Sequence, residues 1–240
     1  MTAPFAILPG WGLGSTPLQA VAYELGGRMI DLPGYGTTPF SPHFDLAVEL
    51  LAQQLNPQTP LMGWSLGAQF ALAIASRYPE KVASLVLVSG TASFVQREGW
   101  SYAMPTSILD AFTTGIQTDT ESTLNRFIAG FNRGDTHSKA VTLALLRKID
   151  LSSFSPSIPT LLSGLRWLGE IDLRPEMSNI KVNTLLIHGT ADPLMPVSAA
   201  KALSEMIPSA QLVTMEGCAH APFISQPEIF LAHLAGFINE

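Results

Sequence analysis

A serine flanked by glycines stands in residues 63–67, which read Gly-Trp-Ser-Leu-Gly. An apolar run at 59–62 precedes this stretch, and a run rich in Ala, Leu and Ile at 68–77 follows it. A strand, a tight turn with Ser at its apex and then a helix make up a nucleophile elbow, in which glycines avoid clashes around the strained turn. We therefore interpret Ser65 as a candidate nucleophile, with the helix N-terminus placed to stabilise an oxyanion.

A serine hydroxyl is too weakly acidic to attack at neutral pH without a base, and two later loops offer the groups it needs. Asp192 follows a predicted strand at 182–188, and His220 follows one at 211–215. Ligands bind at the carboxyl ends of parallel strands, so these side chains should meet there. An imidazole can accept the serine proton, and a carboxylate holds the imidazole in one tautomer. The chain order Ser65, Asp192, His220 predicts a catalytic triad.

The other histidines and the cysteine fit this chemistry less well. His188 ends the strand before the aspartate loop and is expected to be a structural hydrogen-bonding residue. His43, His137 and His233 lie in a loop, an insertion and a helix, and none follows the last strand. Cys218 is interpreted as a small buried residue rather than a second nucleophile. Since no His, Cys and carboxylate set has the spacing of a metal site, we expect no metal and no cofactor.

A glycine-rich loop, residues 10–14, follows the apolar run at 5–8. It lacks the Gly-Lys-[Ser/Thr] ending of a phosphate loop and the spacing of a dinucleotide fingerprint. A plain turn is one interpretation. The elbow favours another, in which Trp11 in this loop and Leu66 after the nucleophile supply the two N–H donors of an oxyanion hole.

The elements that must position these residues alternate between apolar strands and helices. Predicted strands lie at 5–8, 28–31, 59–62, 82–89, 182–188 and 211–215, with helical patterns at 16–25, 45–55, 68–77, 198–207 and 227–239. This alternation predicts an α/β fold with a mostly parallel, doubly wound sheet. A hydrophobic content of 47% against 13% charged residues also favours a sheet covered on both faces.

The alternation stops between residues 89 and 178, where helical patterns appear at 107–116, 121–131 and 139–149. We therefore divide the chain into a core, 1–90 and 179–240, and a helical cap, 91–178. The aromatic-rich cap is either ordinary core packing or a lid that shapes an apolar pocket over the active site, and the elbow favours the lid.

The charge and composition of the chain indicate which partners and which cellular location to expect. The net charge of -6 argues against nucleic-acid binding, and the single cysteine suits a reducing compartment. From the sequence we expect neither a signal peptide nor a membrane-spanning segment. We expect a cytoplasmic monomer without a membrane partner.

The chain resembles the α/β-hydrolase superfamily over its whole length, and within it the pimeloyl-[acyl-carrier protein] methyl ester carboxylesterases of biotin synthesis. The resemblance rests on residues 10–13, 31–36, 63–67 and 219–225. Pro9 and Ala68 depart from the family, which has His and Gly at these positions. The resemblance implies the α/β-hydrolase fold and a serine esterase that demethylates pimeloyl-acyl-carrier protein through an acyl-enzyme. It implies substrate contacts at Trp11, Ser65, Leu66, Phe127, Ile128, Ala129, Gly130, Phe131 and His220.

The cap is basic although the chain is acidic. Residues 122–149 hold five Lys or Arg side chains, Lys148 among them, against Asp135 alone, a net charge of +4. This pattern is either a solvated helix face or a patch that steers an acidic partner, and acyl-carrier proteins are acidic. The proposed carrier-docking residues are Arg126, Arg133, Lys139 and Arg147.

Other functions of the same sequence stay open at this point. The triad could act on another small ester, a lactone or a C–C bond, because one fold hosts many chemistries. A ligand-binding receptor on a hydrolase scaffold is an alternative of a different class. Turnover of a p-nitrophenyl ester would discriminate an enzyme from a receptor.

Overall fold

Six parallel strands form a single sheet in the part of the chain that the computed structural model describes, residues 4–148 and 156–238. In chain order they are β1 (Ala6–Leu8), β2 (Arg28–Met29), β3 (Thr59–Trp64), β4 (Val82–Val88), β5 (Thr184–Gly189) and β6 (Ala210–Met215). Their spatial order is β2-β1-β3-β4-β5-β6, and every neighbouring pair is parallel. The predicted α/β architecture is confirmed.

Ten α-helices accompany the sheet within the same described residues. They are α1 (Gln19–Glu24), α2 (Phe44–Gln53), α3 (Leu66–Arg77), α4 (Thr106–Thr118), α5 (Thr120–Phe131), α6 (Ser138–Lys148), α7 (Ile158–Glu170), α8 (Val197–Met206), α9 (Pro222–Ser225) and α10 (Pro227–Ile238). Short 3-10 helices lie at Thr16–Leu18, Pro79–Lys81 and Arg174–Asn179. Each of the described helices is too short or too polar to cross a lipid bilayer.

The central strands are apolar because helices cover both faces of the sheet. Successive residues of these strands belong to two different hydrophobic clusters, as the two-residue period of a strand requires. On one face, Phe70 of α3 stacks on Phe44 of α2 with ring centroids 4.9 Å apart and meets Trp167 of α7 at 5.4 Å. On the other face, Phe230 of α10 belongs to the same cluster as Trp64. This burial on both sides accounts for the low charge content.

The order of the strands creates a crevice next to β1. This strand pairs with β2 on one side and with β3 on the other, so the strand order reverses there. Ligands of α/β sheets bind at such a reversal, outside the carboxyl ends of the strands. Residues 9–15 follow β1 and Ser65 follows β3, with Leu8 and Gly63 in register. The topology therefore brings the glycine-rich loop and the serine together.

Four helices, α4 to α7, lie in the described part of the segment between β4 and β5. The predicted helices at 107–116, 121–131 and 139–149 correspond to α4, α5 and α6. Helix α7 has no predicted counterpart, although Ser157 caps its N-terminus and Pro159 lies in its first turn. The Lys148 side chain and residues 149–155 lie outside the described residues. The division into a core and a cap at residues 90 and 179 stays a prediction.

Candidate active site

Ser65 lies at the sharp turn between β3 and α3. Its backbone angles are φ 57° and ψ −119°, a region that residues with a side chain rarely adopt. Its N–H donates to the carbonyl oxygen of Val88 in β4 at 3.0 Å, which ties the strained residue to the sheet. The surrounding structure must hold this conformation, because it is unfavourable by itself.

The glycines on either side of the serine allow backbone segments to touch. A Cβ on Gly63 would lie 2.3 Å from the carbonyl oxygen of Gly67. A Cβ on Gly67 would lie 2.4 Å from the carbonyl oxygens of both Leu8 and Pro9. Real Cβ atoms do not approach oxygen so closely, so only glycine fits at these two positions.

Hydrogen bonds join the three side chains that the sequence order predicted to act together. His220 Nε2 lies 2.9 Å from Ser65 Oγ, and His220 Nδ1 lies 2.7 Å from Asp192 Oδ2. Asp192 follows β5 and His220 follows β6, so each comes from the carboxyl end of a different strand. The carboxylate accepts the Nδ1–H, which leaves Nε2 able to accept the serine proton. This arrangement can activate a serine for nucleophilic attack.

The carboxylate of Asp192 is buried, yet it is the ionised form that its surroundings favour. Burial, the largest influence, raises the pKa of Asp192, but the charge and hydrogen bond of His220, the nearby His188 and the N–H of Met195 together hold it below the ordinary 3.8. Oδ1 accepts the N–H groups of Leu194 and Met195 at 2.9 and 3.0 Å. The loop after β5 therefore holds Oδ1 of Asp192 and leaves Oδ2 to bind the imidazole of His220.

A second buried histidine lies behind the carboxylate. His188 Nε2 lies 2.6 Å from the carbonyl oxygen of Met195, so it carries the hydrogen of that bond, and it lies 3.7 Å from Asp192 Oδ2. Burial lowers the pKa of His188 below the ordinary 6.5, although the Asp192 charge opposes this shift. His188 is thus a neutral hydrogen-bond donor at neutral pH, the structural role expected from the sequence.

The N–H groups of Trp11 and Leu66 are the predicted oxyanion donors. Leu66 is the first residue of α3, where an N–H has no acceptor within the helix. Among the described residues, neither N–H donates to another group of the protein. The glycine-rich loop lies against the nucleophile, since a Cβ on Gly10 would lie 3.3 Å from Ser65 Cβ. Two free donors beside a serine are suited to binding an oxyanion.

Two hydrogen bonds tie the glycine-rich loop to other parts of the chain. The N–H of Gly12 donates to the hydroxyl oxygen of Tyr35 at 3.0 Å, and burial raises the pKa of this tyrosine. Trp11 Nε1 donates to the carbonyl oxygen of Leu161 in α7 at 2.9 Å. A Cβ on Gly164, one helical turn later, would lie 2.4 Å from the Trp11 ring. The insertion therefore fixes the indole of Trp11.

Aromatic rings form an apolar wall beside the serine. The Phe127 ring contacts Trp11 and Phe131, with centroids 5.1 and 5.0 Å apart. Phe131 in turn contacts the imidazole of His220 at 5.5 Å, and Phe112 contacts Phe127 at 5.7 Å. Phe127 and Phe131 share one face of α5 because they are four residues apart. Such a wall can bind the apolar part of a ligand.

The remaining residues of the predicted contact segment lie elsewhere. Ile128 is buried in the hydrophobic cluster of the sheet. Ala129 lines an outer groove together with Asp119 and Arg126. A Cβ on Gly130 would have no neighbour within 4 Å. Helix α5 thus turns only part of this segment towards the serine.

Trp64, inside the elbow itself, contacts the candidate base, and no such role was predicted for it. Its Nε1 donates to the carbonyl oxygen of His220 at 2.8 Å. Its ring packs edge-on against Phe223 at 5.1 Å and contacts Phe131 at 6.3 Å. The indole therefore links the serine turn to the histidine loop. The one visible sign in the sequence is a large polar aromatic residue placed between the strand and the serine.

The four cations predicted to dock a carrier are exposed on the insertion. Among the described residues, none of them pairs with a carboxylate within 4.0 Å. They are Arg126, Arg133, Lys139 and Arg147. Asp135, counted against them in the sequence, is buried and hydrogen-bonded. Arg126 shares its groove with Asp119 and Glu121, so its charge is partly offset.

Potential metal ligands do not converge in the described residues. Groups of three or more His, Cys, Asp or Glu side chains that could hold an ion are absent there. The thiol of Cys218 is buried, and burial raises its pKa. A thiol of this kind is a poor nucleophile at neutral pH.

The chain is similar to known proteins over most of its length. Residues 28–227 match the family described as the alpha/beta hydrolase fold. The chain is 37% identical over 232 residues to the pimeloyl-[acyl-carrier protein] methyl ester esterase of Nitrosomonas europaea, covering 94% of this chain and 92% of that protein. It is 35% identical over 233 residues to the protein of the same name in Aromatoleum aromaticum, covering 92% of each.

Solved structures share the fold. An esterase from Exiguobacterium antarcticum has a TM-score of 0.84 at 24% identity, covering 100% of this chain and 94% of that chain. A bromoperoxidase from Bacillus anthracis has a TM-score of 0.87 at 21% identity, covering 100% of this chain and 93% of that chain. At these identities the likeness concerns the fold alone.

Replacing Gly67 with Ala should destabilise the protein, because the new Cβ would press on two carbonyl oxygens of the backbone. We expect the free energy of unfolding, measured by urea denaturation, to fall by about 1–3 kcal/mol. Gly236→Ala is the matched control, since a Cβ there has no neighbour within 4 Å. This control should be neutral or slightly stabilising. Equal unfolding free energies for the two variants would contradict the packing argument.

The buried His188 should make stability depend on pH. Because its folded pKa is lowered, the unfolded chain binds a proton more readily, and stability is lost as the pH falls below the ordinary 6.5 towards the folded pKa. Between about pH 7.5 and 5.5 this loss amounts to at most about 1.4 kcal/mol. His188→Gln, which keeps a donor for Met195, should lose less over the same range in urea denaturation. An identical pH dependence would show that His188 does not contribute.

Proposed function

This chain belongs to the α/β-hydrolase family, in the group of the pimeloyl-[acyl-carrier protein] methyl ester esterases, and we propose that it hydrolyses a carboxylic ester through an acyl-enzyme. The observation that carries the proposal is the hydrogen-bonded series Asp192, His220, Ser65 at a strained turn. Each member has the residue type and the distance that acyl transfer to serine requires.

In the first half of the reaction, Ser65 Oγ attacks the ester carbonyl carbon while His220 Nε2 accepts the hydroxyl proton. Asp192 stabilises the imidazolium through Nδ1–H. The negative charge on the carbonyl oxygen is met by the N–H groups of Leu66 and Trp11, with the N-terminus of α3 behind them. When the tetrahedral intermediate collapses, the C–O bond to the alcohol breaks and the imidazolium returns the proton to the leaving oxygen.

In the second half, a water molecule attacks the acyl-enzyme by the same route. His220 accepts a proton from the water, and the hydroxyl adds to the acyl carbon. The bond to Ser65 Oγ then breaks, Oγ regains the proton from the imidazolium, and the carboxylic acid leaves. The proposed chemistry uses side chains and backbone N–H groups of the protein together with water.

The methyl ester of pimeloyl-[acyl-carrier protein] is the substrate that we propose. The names of the relatives support this, at 37% and 35% identity over most of both chains. The rings of Phe112, Phe127 and Phe131 suit the apolar methylene chain of a pimeloyl group. We propose that the helical segment carrying these rings acts as a lid. A cytoplasmic location and a monomeric state stay predictions.

Ser65→Ala tests the reaction. With a p-nitrophenyl ester of a short acid, kcat should fall by on the order of 10⁶-fold, to the background rate, because no nucleophile remains. The melting temperature should stay near that of the wild type, since a buried hydroxyl is exchanged for a hydrogen at an unchanged backbone.

Ser89→Ala is the matched control. Ser89 also follows directly after a strand, has a positive φ of 45° and is buried, and its Oγ has no hydrogen-bond partner among the described residues. This variant should keep its turnover. Substantial activity in Ser65→Ala would refute the assignment of the nucleophile.

The acyl-carrier protein is the partner that we propose for the basic surface. Arg133, Lys139 and Arg147 are exposed and, within the described residues, unpaired with carboxylates. Arg126 contributes less, because two carboxylates share its groove. Carrier proteins of this kind are acidic, so complementary charge would orient them with the acyl group towards the serine.

Charge reversal at Arg133 and Arg147, both changed to Glu, should raise KM for the carrier-bound methyl ester. Two lost contacts of about 0.5–1 kcal/mol each correspond to an increase of about 5- to 30-fold. KM for a p-nitrophenyl ester should not change. Lys181→Glu with Lys201→Glu, an equal charge change outside the insertion, is the control. Equal effects on both substrates, or from both variants, would exclude a docking role.

A further inference from the structure

A buried carboxylate that the proposed reaction does not use lies in the turn between α5 and α6. Asp135 is 6% exposed, and among the described residues it has no cation within ion-pair distance. Burying a carboxylate without a counter-charge is costly unless hydrogen bonds satisfy its oxygens. Its partners therefore show what the residue does.

Three donors converge on this carboxylate, and two of them flank the candidate base. Oδ2 accepts the N–H of Ala219, the residue before His220, at 2.7 Å. Oδ1 accepts the hydroxyl of Ser225, at the end of α9, at 2.8 Å. It also accepts the N–H of His137 in its own turn at 2.7 Å. One carboxylate thus holds the backbone before His220 and the helix after it.

Neighbouring residues of the same turn bind the same loop. The N–H of Thr136 donates to the carbonyl oxygen of Gly217 at 2.8 Å, and its hydroxyl donates to the same oxygen at 3.2 Å. The N–H of His220 donates weakly to the carbonyl oxygen of Phe131 at 3.4 Å. A Cβ on Gly217, which has a positive φ of 70°, would lie 2.3 Å from the Thr136 hydroxyl. Hydrogen bonds therefore join residues 131–136 to residues 217–225.

We propose that Asp135 is a positioning residue that fixes the His220 loop to the insertion, so that the imidazole stays within hydrogen-bond distance of Ser65 and Asp192. The inference rests on the proposed function, in which His220 is the base. Asp135 touches no reacting atom and acts through the backbone on both sides of His220. It also sets the distance between the imidazole and Phe131, whose ring belongs to the apolar wall.

A carboxylate suits this task better than its neutral isostere. All three partners of Asp135 are donors, and an ionised carboxylate presents only acceptors. In Asp135→Asn, the amide has one oxygen and one NH2 group. If the oxygen keeps Ser225 and His137, the NH2 group faces the N–H of Ala219, and this donor loses its acceptor. The residue before His220 is then released from the insertion.

The test uses the full-length protein and a p-nitrophenyl ester whose turnover depends on Ser65. In Asp135→Asn, kcat should fall about 10- to 100-fold with KM unchanged, as expected for a displaced base. The proton that His220 and Asp192 share should also change its far-downfield NMR resonance. Asp119→Asn is the matched control, because Asp119 caps the other end of α5 through Ser122 and does not reach the histidine loop. This control should leave kcat, KM and the downfield resonance unchanged, because an asparagine can still cap the helix.

Unchanged kcat and an unchanged resonance in folded Asp135→Asn would overturn the inference and leave the esterase proposal standing. A wild type without Ser65-dependent turnover would instead refute the proposed function. If Asp135→Asn does not fold, Ser225→Ala serves as the second test, because it removes one of the three donors to Asp135 and adds no polar group. It should lower kcat several-fold with KM unchanged, and wild-type kcat in that variant would overturn the inference.

Discussion

The close backbone contact around Ser65 is the constraint on which the rest of the site depends. A serine with φ 57° requires α3 to begin directly after β3, so the first turn of the helix presses on the end of β1. Contact is possible because Gly67 leaves room for the carbonyl oxygens of Leu8 and Pro9. Since β1 continues into the glycine-rich loop, the same contact holds this loop beside Ser65. One packing arrangement therefore positions both the proposed nucleophile and the proposed oxyanion donors.

Buried charge imposes the second constraint. Asp192 and Asp135 are both carboxylates in the interior, and each accepts three hydrogen bonds, mostly from the backbone of the loops around them. Three donors to each carboxylate offset the free-energy cost of burying its charge, so neither carboxylate lacks hydrogen-bond partners. The loops in turn rely on these acceptors for their own N–H groups. The polar residues and the irregular loops at this edge of the sheet consequently form as one unit.

Local patterns in the sequence predicted the strands, most of the helices and the three residues of the triad. Short continuous apolar runs indicated the strands, and the position of Ser65, Asp192 and His220 after three of them predicted their meeting. Helix α7 was missed although its signals are present: Ser157 caps it, Pro159 lies in its first turn, and Leu161, Leu165 and Leu168 recur at helical spacing. Asp135 was counted as a surface charge, since nothing in the local sequence shows that its partners lie more than 80 residues away. Contacts of this range depend on tertiary packing, which no local pattern encodes.

The insertion is connected to the site at two separate places, which limits how it can act. The turn between α5 and α6 holds the His220 loop through Asp135 and Thr136. The carbonyl oxygen of Leu161 in α7 holds the indole of Trp11, next to the proposed oxyanion donor. A rigid lid that lifted away as a whole would break both connections and disturb the base and the oxyanion hole together. Substrate entry that preserves the site must therefore displace side chains of the wall, such as Phe127, or segments between these two attachments. The segment that we propose as a lid would then also hold the proposed triad in place.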